Sequence, residues 1–403
     1  MRILTFTTLF PNSLAPDFGV FLLQRVSHLA GRSGNDVEVV APLPYAPGFL
    51  RGTSRGYISA VPKTERIAGL RVHHPRYPLL PGISMPAHGL LMYAGCLNLM
   101  RSLHQQQPFD CIDAHYVFPD GLAAVLLGKS LRLPVMLTAR GSDIHTFPKF
   151  TTIRPQICWT LRNATRLAAV SPSLAQIMLE LEPSIPRPEV IGNGVDTMRF
   201  YPEDRLLARA KIGVDPNIKL IVSVAALKHV KGIDLLVRAA SLLKKSTPQC
   251  RLLFIGKGPD LSTLQRLASQ LDCADTCKFV GPVANDKLRD FYNAADVTCL
   301  PSRNEGWPNV VLESLACGTP VVGTRVGAVP ELLSDAGSGV LVNASAESIH
   351  QGLCEAVVRE WNRDAIAARA RSHSWDKVAE RVEALLQHHL RPERAVLEKA
   401  VSV

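Results

Sequence analysis

Two glutamates, Glu305 and Glu313, stand with seven residues between them in the stretch 301–320, PSRNEGWPNVVLESLACGTP. The apolar run 296–301, DVTCLP, leads into it and predicts a strand, and a polar loop follows. Pro308 predicts the first turn of a helix, because the amide hydrogen it lacks would have no partner there. Gly318 and Pro320 predict where that helix stops. Glu305 then sits in the loop before a helix N-terminus, and Glu313 sits about one turn further in. The N–H groups at the first turn of such a helix, here around residues 308–311, form a ready anion site. Carboxylates accept hydrogen bonds from sugar and ribose hydroxyls while a helix end holds phosphate. The combination suits a sugar nucleotide.

Two further groups fit that chemistry. Lys231-Gly232 follows the apolar run 220–224 through a short loop, and a lysine there can neutralise a departing diphosphate. The chain has no Asp-any-Asp triplet of the kind that holds a metal on a sugar nucleotide, so cationic side chains and a helix end are expected to do that work, with no metal site. His115 lies in DAHYVFPDG, residues 113–121, directly after the run 111–114. A strand's carboxyl end is where ligands bind in doubly wound sheets. Residues 256–259, GKGP, lack the third glycine and the later acid of a dinucleotide-binding turn and read as a tight turn.

A chain of 403 residues suits two domains, and 47% hydrophobic with 20% charged residues describes a globular protein. The longest apolar helical run, 89–100, is too short to span a bilayer. The first ten residues carry one charge and no cleavage site of small residues, and read as a strand. Nine scattered cysteines, with Cys273 and Cys277 lacking a second pair or a histidine cluster, point to a reduced, cytoplasmic protein without zinc. The net charge of +10 is uneven. Residues 51–101 hold seven bases (Arg51, Arg55, Lys63, Arg66, Arg71, Arg76, Arg101) against one acid, Glu65, together with Leu79, Leu80, Ile83, Met85, Leu90, Leu91 and Met92. Such a mixture suits peripheral contact with an anionic membrane face or a lipid-linked phosphate acceptor, and equally a solvated surface over a core helix. No nucleic-acid-binding motif accompanies the charge.

Apolar strands alternate with helical stretches, which predicts a parallel α/β architecture. Strands are expected at 2–7, 37–41, 111–114, 135–139 and 167–171 in a first half. A second half is expected to hold strands at 219–224, 251–256, 278–280, 297–300 and 321–323. Prolines 183, 186, 188 and 202 and glycines 192 and 194 interrupt the pattern between them. The expected domains are 1–190 and 191–375, with a helix at 376–390 and a tail at 391–403.

The Glu305–Glu313 stretch, in its strand–loop–helix setting with GTPVV behind it, resembles the Glu-any-seven-Glu motif of the retaining glycosyltransferases of family 4, which have the GT-B fold. The resemblance covers the chain from Arg2 to about Leu390. It implies two Rossmann-like doubly wound domains facing a cleft, the first on the acceptor side and the second binding the nucleotide sugar, with the last helix crossing back onto the first domain. It implies a transferase that moves a hexosyl group from a UDP- or GDP-sugar, without metal or other cofactor, to a polysaccharide or lipid-linked saccharide. In that reading Glu305 holds donor-sugar hydroxyls and Glu313 the ribose. Lys231, Asn309 and Val310 hold the diphosphate, and Gly306 lets the sugar come close. His115 resembles the family's histidine, which reaches the donor sugar from the first domain and stabilises an oxocarbenium-like state without attacking it. Gly19, in PNSLAPDFGVF, is similar to the family's first glycine loop and would let the backbone approach a phosphate or acceptor. Arg140-Gly-Ser-Asp143 resembles a His-Gly-Thr-Asp segment, with Arg140 placed to contact an anionic acceptor or donor phosphate. Phe279-Val280-Gly281 resembles the edge that meets the nucleobase through backbone groups. Residues 193–200 match an Asn-Gly-Val-Asp…Phe hinge. The chain departs from the family's Gly-Arg-Leu…Lys-Gly element at Ala226, where an arginine is usual, and Lys228 is the substitute cation. Two other readings remain open: a catalytically silent sugar-nucleotide binder, and a sugar-nucleotide epimerase of the same fold.

Overall fold

The computed structural model describes residues 1–45, 57–79 and 84–401, with side chains described as far as His388, that of Tyr57 excepted. The chain divides into two compact units, one of residues 1–193 and 375–403, the other of residues 194–374.

Unit 1 is built on an eight-stranded sheet. Its strands are β1 (Arg2–Phe6), β2 (Asp36–Val40), β4 (Thr64–Ile67), β5 (Leu70–His73), β7 (Cys111–His115), β8 (Val135–Ala139), β9 (Arg166–Ala169) and β10 (Glu189–Val190). They lie in the order β10-β9-β8-β7-β1-β2-β5-β4. All pairings are parallel except the β4–β5 hairpin. The central strands are buried along most of their length, as expected of a sheet covered by helices on both faces. A separate parallel pair joins β3 (Leu43–Pro44) to β6 (Arg76–Tyr77). The helix Val20–Ala30 turns Leu22, Val26 and Leu29 into a core shared with Val378, Ala379, Val382 and Leu386 of the long last helix, Trp375–Val401. Each such leucine contributes about 1.5–3 kcal/mol by leaving water.

Unit 2 has a six-stranded, wholly parallel sheet in the order β13-β12-β11-β14-β15-β16. The strands are β11 (Lys219–Val224), β12 (Cys250–Ile255), β13 (Cys277–Gly281), β14 (Val297–Leu300), β15 (Val321–Thr324) and β16 (Gly339–Val342). The order reverses between β11 and β14, as it does between β1 and β7 in unit 1. Loops leaving the carboxyl ends of two such neighbours diverge, and the crevice left there is the usual ligand position of a doubly wound sheet.

The strands expected from the apolar runs are present within about two residues at each end. The pattern missed β4, β5, β10, β16 and the β3–β6 pair. The β4–β5 hairpin carries four of its eight residues as Thr64, Glu65, Arg66 and Arg71, so its polar face hides the strand signal. The basic segment is also less superficial than expected. Met92 is fully buried and Arg76 donates inward to the carbonyls of Ile58 and Val61, while Leu90 and Arg101 are exposed. Arg51, Arg55, Leu80 and Ile83 lie outside the described residues. Among the described residues no helix is long and apolar enough to cross a membrane.

Candidate functional site

In unit 2 the two strands at the switch point deliver Lys231 and Glu305. Lys231 closes the short loop after β11, and Glu305 lies in the loop after β14. The Lys231 ammonium donates to both carboxylate oxygens of Glu305, at 2.7 and 2.9 Å. Ser302 Oγ donates to Glu305 Oε1 at 2.6 Å, and the Ser302 carbonyl accepts from Thr324 Oγ1 at 2.6 Å. Ser302 and Thr324 are fully buried. Arg303 ties the two loops together. Its guanidinium forms a two-pronged pair with Asp234 at 2.6 and 2.7 Å, and its N–H bonds the carbonyl of Val230.

The backbone around this pair leaves no room for side chains. A Cβ on Gly232 (φ 63°) would stand 2.0 Å from the carbonyl oxygen of Pro301, and one on Gly327 (φ 54°) 2.3 Å from that of Glu305. Both positions need the left-handed backbone that glycine adopts without strain.

The helix after Glu305 runs Asn309–Ala316, and Pro308 is its cap with an extended backbone (φ −81°, ψ 99°), so the helix opens one residue later than expected. Asn309 and Val310 therefore belong to its first turn. Val310 also packs on the unit 2 core, as does Val280 of β13. Gly306 accepts a backbone bond from Ala328.

Glu313 does not join Glu305. It accepts from the hydroxyl of Tyr292 at 2.8 Å, and Tyr292 is fully buried against Phe200. Burial raises the Glu313 carboxyl to about 7, against the opposing hydrogen bond from Tyr292 and the charge of Arg199. A carboxyl raised on folding favours the native state below its unfolded value and loses that advantage as pH climbs through its folded value. Unit 2 should thus lose on the order of 2–3 kcal/mol of stability from Glu313 between about pH 4.5 and about pH 7. Glu313→Gln should flatten this slope, read by denaturant unfolding at about pH 5 and about pH 8. The exposed Glu331, also raised to about 7, leaves a smaller slope of the same sign.

Lys228 lies in the same loop as Lys231, its carbonyl accepting from the Lys231 N–H at 2.8 Å. Its side chain is exposed and lines an open hollow of about 470 Å³ with His229, Arg238, Asp260 and Arg266. Neither Lys231 nor Glu305 lines that hollow.

In unit 1 the switch point holds a buried polar cluster. Asp113 and His115 share a sheet face with Thr5 and Thr138, their register partners on β1 and β8. Arg25, 1% exposed, reaches this face from the helix Val20–Ala30, with Nη2 3.7 Å from Asp113 Oδ1. Arg140 Nη2 donates to His115 Nδ1 at 3.0 Å, and Nη1 donates to Asn193 Oδ1 at 2.8 Å. A guanidinium only donates, so Nδ1 is the acceptor and the ring proton sits on Nε2, 3.2 Å from Asp113 Oδ2. Burial pushes His115 down to about 3 despite Asp113, with Arg140 adding to the fall, and the ring is neutral. Burial alone would raise Asp113, but His115 and the charge of Arg25 beside it hold the carboxyl below its usual range. Asp143 accepts from the backbone N–H groups of Val117, Arg140 and Gly141 and so fixes the loop that carries Arg140. Asp120 accepts from the N–H and hydroxyl of Thr8, and burial raises it to about 7.

His115 is fully buried, and its ring nitrogens face Arg140 and Asp113. Arg140 turns inward to His115 and Asn193. Gly19 (φ 68°) gives its clearance to the chain itself, because a Cβ there would lie 2.2 Å from the carbonyl oxygen of Leu9.

Ser302, Thr324, Tyr292, Asp113 and Arg25 were missed as site residues. Arg25 and Asp113 left a signal, as charges inside the 22, 25, 26, 29 helical spacing and the apolar run 111–114. Among the described residues no group of three or more histidine, cysteine, aspartate or glutamate side chains could hold a metal.

Residues 204–373 match the family model Glycosyl transferases group 1, and residues 19–199 match Glycosyltransferase Family 4. The protein of Bacillus subtilis (strain 168) that carries the name teichuronic acid biosynthesis glycosyltransferase TuaC is 30% identical over 365 residues, 89% of each chain. This chain belongs to glycosyltransferase family 4. A D-inositol 3-phosphate glycosyltransferase of Mycolicibacterium vanbaalenii is 30% identical over 82% of this chain and 75% of its own. Among solved structures, sucrose-phosphate synthase of Thermosynechococcus elongatus has a TM-score of 0.75 at 19% identity, covering 96% of this chain and 98% of its own. Anabaena HepE in complex with UDP has a TM-score of 0.72 at 18% identity, covering 96% and 100%. These two establish that the family 4 chain has the GT-B fold.

Proposed function

We propose that this family 4 chain is a retaining hexosyltransferase that needs no metal, takes a nucleoside diphosphate sugar as donor and extends a polysaccharide or lipid-linked saccharide. The observation that carries this reading is the Lys231–Glu305–Ser302 cluster at the switch point of unit 2, directly before the helix Asn309–Ala316. Lys231 and the first-turn N–H groups receive the diphosphate. Glu305 accepts from a sugar hydroxyl. Glu313, at the same helix, accepts from the ribose. In the step itself the bond from the anomeric carbon to the diphosphate oxygen breaks, and a bond to the acceptor oxygen forms on the same face. The acceptor proton passes to the departing phosphate oxygen. Charge grows on that oxygen, and Lys231 is positioned to meet it.

His115 acts in this scheme through the unit 1 loop it orders with Arg140 and Asp113, as a positioning residue. The name of the Bacillus relative supports a polysaccharide acceptor, and the UDP held by HepE supports a nucleoside diphosphate donor. The exposed bases of residues 63–101 support a location at the inner membrane face. Binding to anionic vesicles at low salt tests that point, and full recovery in the supernatant removes it.

The decisive experiment incubates the protein with UDP-, GDP- and ADP-sugars in chelator and follows thermal stabilisation, then the anomeric configuration of any product by NMR. The expected result is stabilisation by one nucleotide class, unchanged by chelation, and a product of the donor's configuration. Binding with neither transfer nor slow donor hydrolysis would instead support the silent binder, a reading that Ala226 favours. An inverted product would remove the retaining mechanism.

A further inference from the structure

We infer that Glu305 is an internal counter-ion that competes with the donor diphosphate for Lys231, so that donor binding must pull the lysine off the carboxylate. The inference rests on the nucleotide-sugar reading above and adds a binding property to that site.

The two partners are unequally held. Glu305 is fixed from several sides. Ser302 Oγ grips Oε1 at 2.6 Å, and Ser302 is itself anchored by Thr324. Gly327 and Gly232 pack closely against the backbone of Glu305 and Pro301. The Glu305 side chain is 8% exposed, whereas that of Lys231 is 29% exposed and has a flexible four-carbon stem. An ammonium has three donors, and two of them go to the carboxylate. A diphosphate therefore finds a lysine already neutralised, and the mobile partner must yield.

The exchange has a chemical consequence. While Lys231 covers Glu305, the carboxylate offers little negative charge to its surroundings. Once Lys231 turns to the diphosphate, the carboxylate is uncovered beside the donor sugar, where positive charge develops as the anomeric bond breaks. Capture of the leaving group and unveiling of Glu305 become one event. The free protein meanwhile avoids a bare carboxylate in a poorly hydrated loop.

The test is calorimetric titration of the full chain with UDP, GDP and ADP, using wild type, Glu305→Gln, Lys231→Ala and the double variant. Glu305→Gln is expected to bind the preferred nucleotide about three- to tenfold tighter than wild type while losing transfer, because the amide no longer retains the lysine. In the Lys231→Ala background the same substitution should change affinity by less than about twofold, since no lysine is left to release. Unchanged or weaker binding by Glu305→Gln would overturn the inference. So would equal tightening with and without Lys231, which would mean simple repulsion between carboxylate and diphosphate. If Gln at 305 disturbs unit 2, Glu305→Ala carries the same expectation. Should wild type and every variant ignore all three nucleotides, the nucleotide-sugar reading falls together with this one. Binding by wild type without tightening in the variants sinks the competition alone.

Discussion

Lys231→Ala is expected to lower kcat/KM by about 10²–10³-fold, the usual effect of removing one preorganised charge from a developing oxyanion. The loss should fall mainly on kcat, because what Lys231 gains from the bound diphosphate is offset by giving up Glu305, and its gain is largest where the leaving oxygen takes on charge. A loss confined to KM would mean that Lys231 holds ground state and transition state alike. Arginine at 231 should not restore the rate. Its planar fork is longer than an ammonium and would have to fit a carboxylate that Ser302 keeps in place. Steady-state kinetics with the donor selected by thermal stabilisation makes the measurement. Turnover equal to wild type would remove the phosphate role.

The second large effect lies in unit 1. Asp113→Ala should destabilise that unit by about 3–5 kcal/mol, the range for removing one partner of a buried pair and leaving the other charge alone. Arg25 has no hydrogen-bonding acceptor among the described residues and meets Asp113 at 3.7 Å, so its charge would stand uncompensated beside that of Arg140. His115 would also lose the acceptor facing its Nε2 proton. The joint replacement Arg25→Met with Asp113→Leu should restore much of the loss, because an apolar pair of similar volume needs no compensation. Urea unfolding of the three proteins at neutral pH measures it. A drop below about 1 kcal/mol for Asp113→Ala would show that solvent already satisfies Arg25.

What the amino-acid order revealed depended on how far apart the partners lay. The parallel strands were legible because buried central strands are nearly continuous apolar runs, as in 220–224 and 135–139. The hairpin 64–73 was not, because polar residues hide its period. Within the site, Glu305 and the helix behind it could be placed from local spacing. The contact of Lys231 with Glu305 joins residues 74 apart in the chain and follows from strand order, which no local pattern encodes. His115 shows the converse. Its position after a strand was read correctly, but its direction depends on Arg140 and Asp113, and Arg140 arrives from a different strand. A residue's place along the backbone says little about which way a titratable ring faces once a guanidinium claims one nitrogen.

The route of the chain also sets an order of events during synthesis. Unit 2 is one uninterrupted segment, residues 194–374, and can close its sheet as soon as that segment has emerged. Unit 1 cannot. Leu22, Val26 and Leu29 wait for Val378, Val382 and Leu386, and Arg32 and Asn35 both wait for Glu383. The helix Val20–Ala30 is thus covered by the much later helix Trp375–Val401, and that side of its apolar stripe stays open while the residues between them are made.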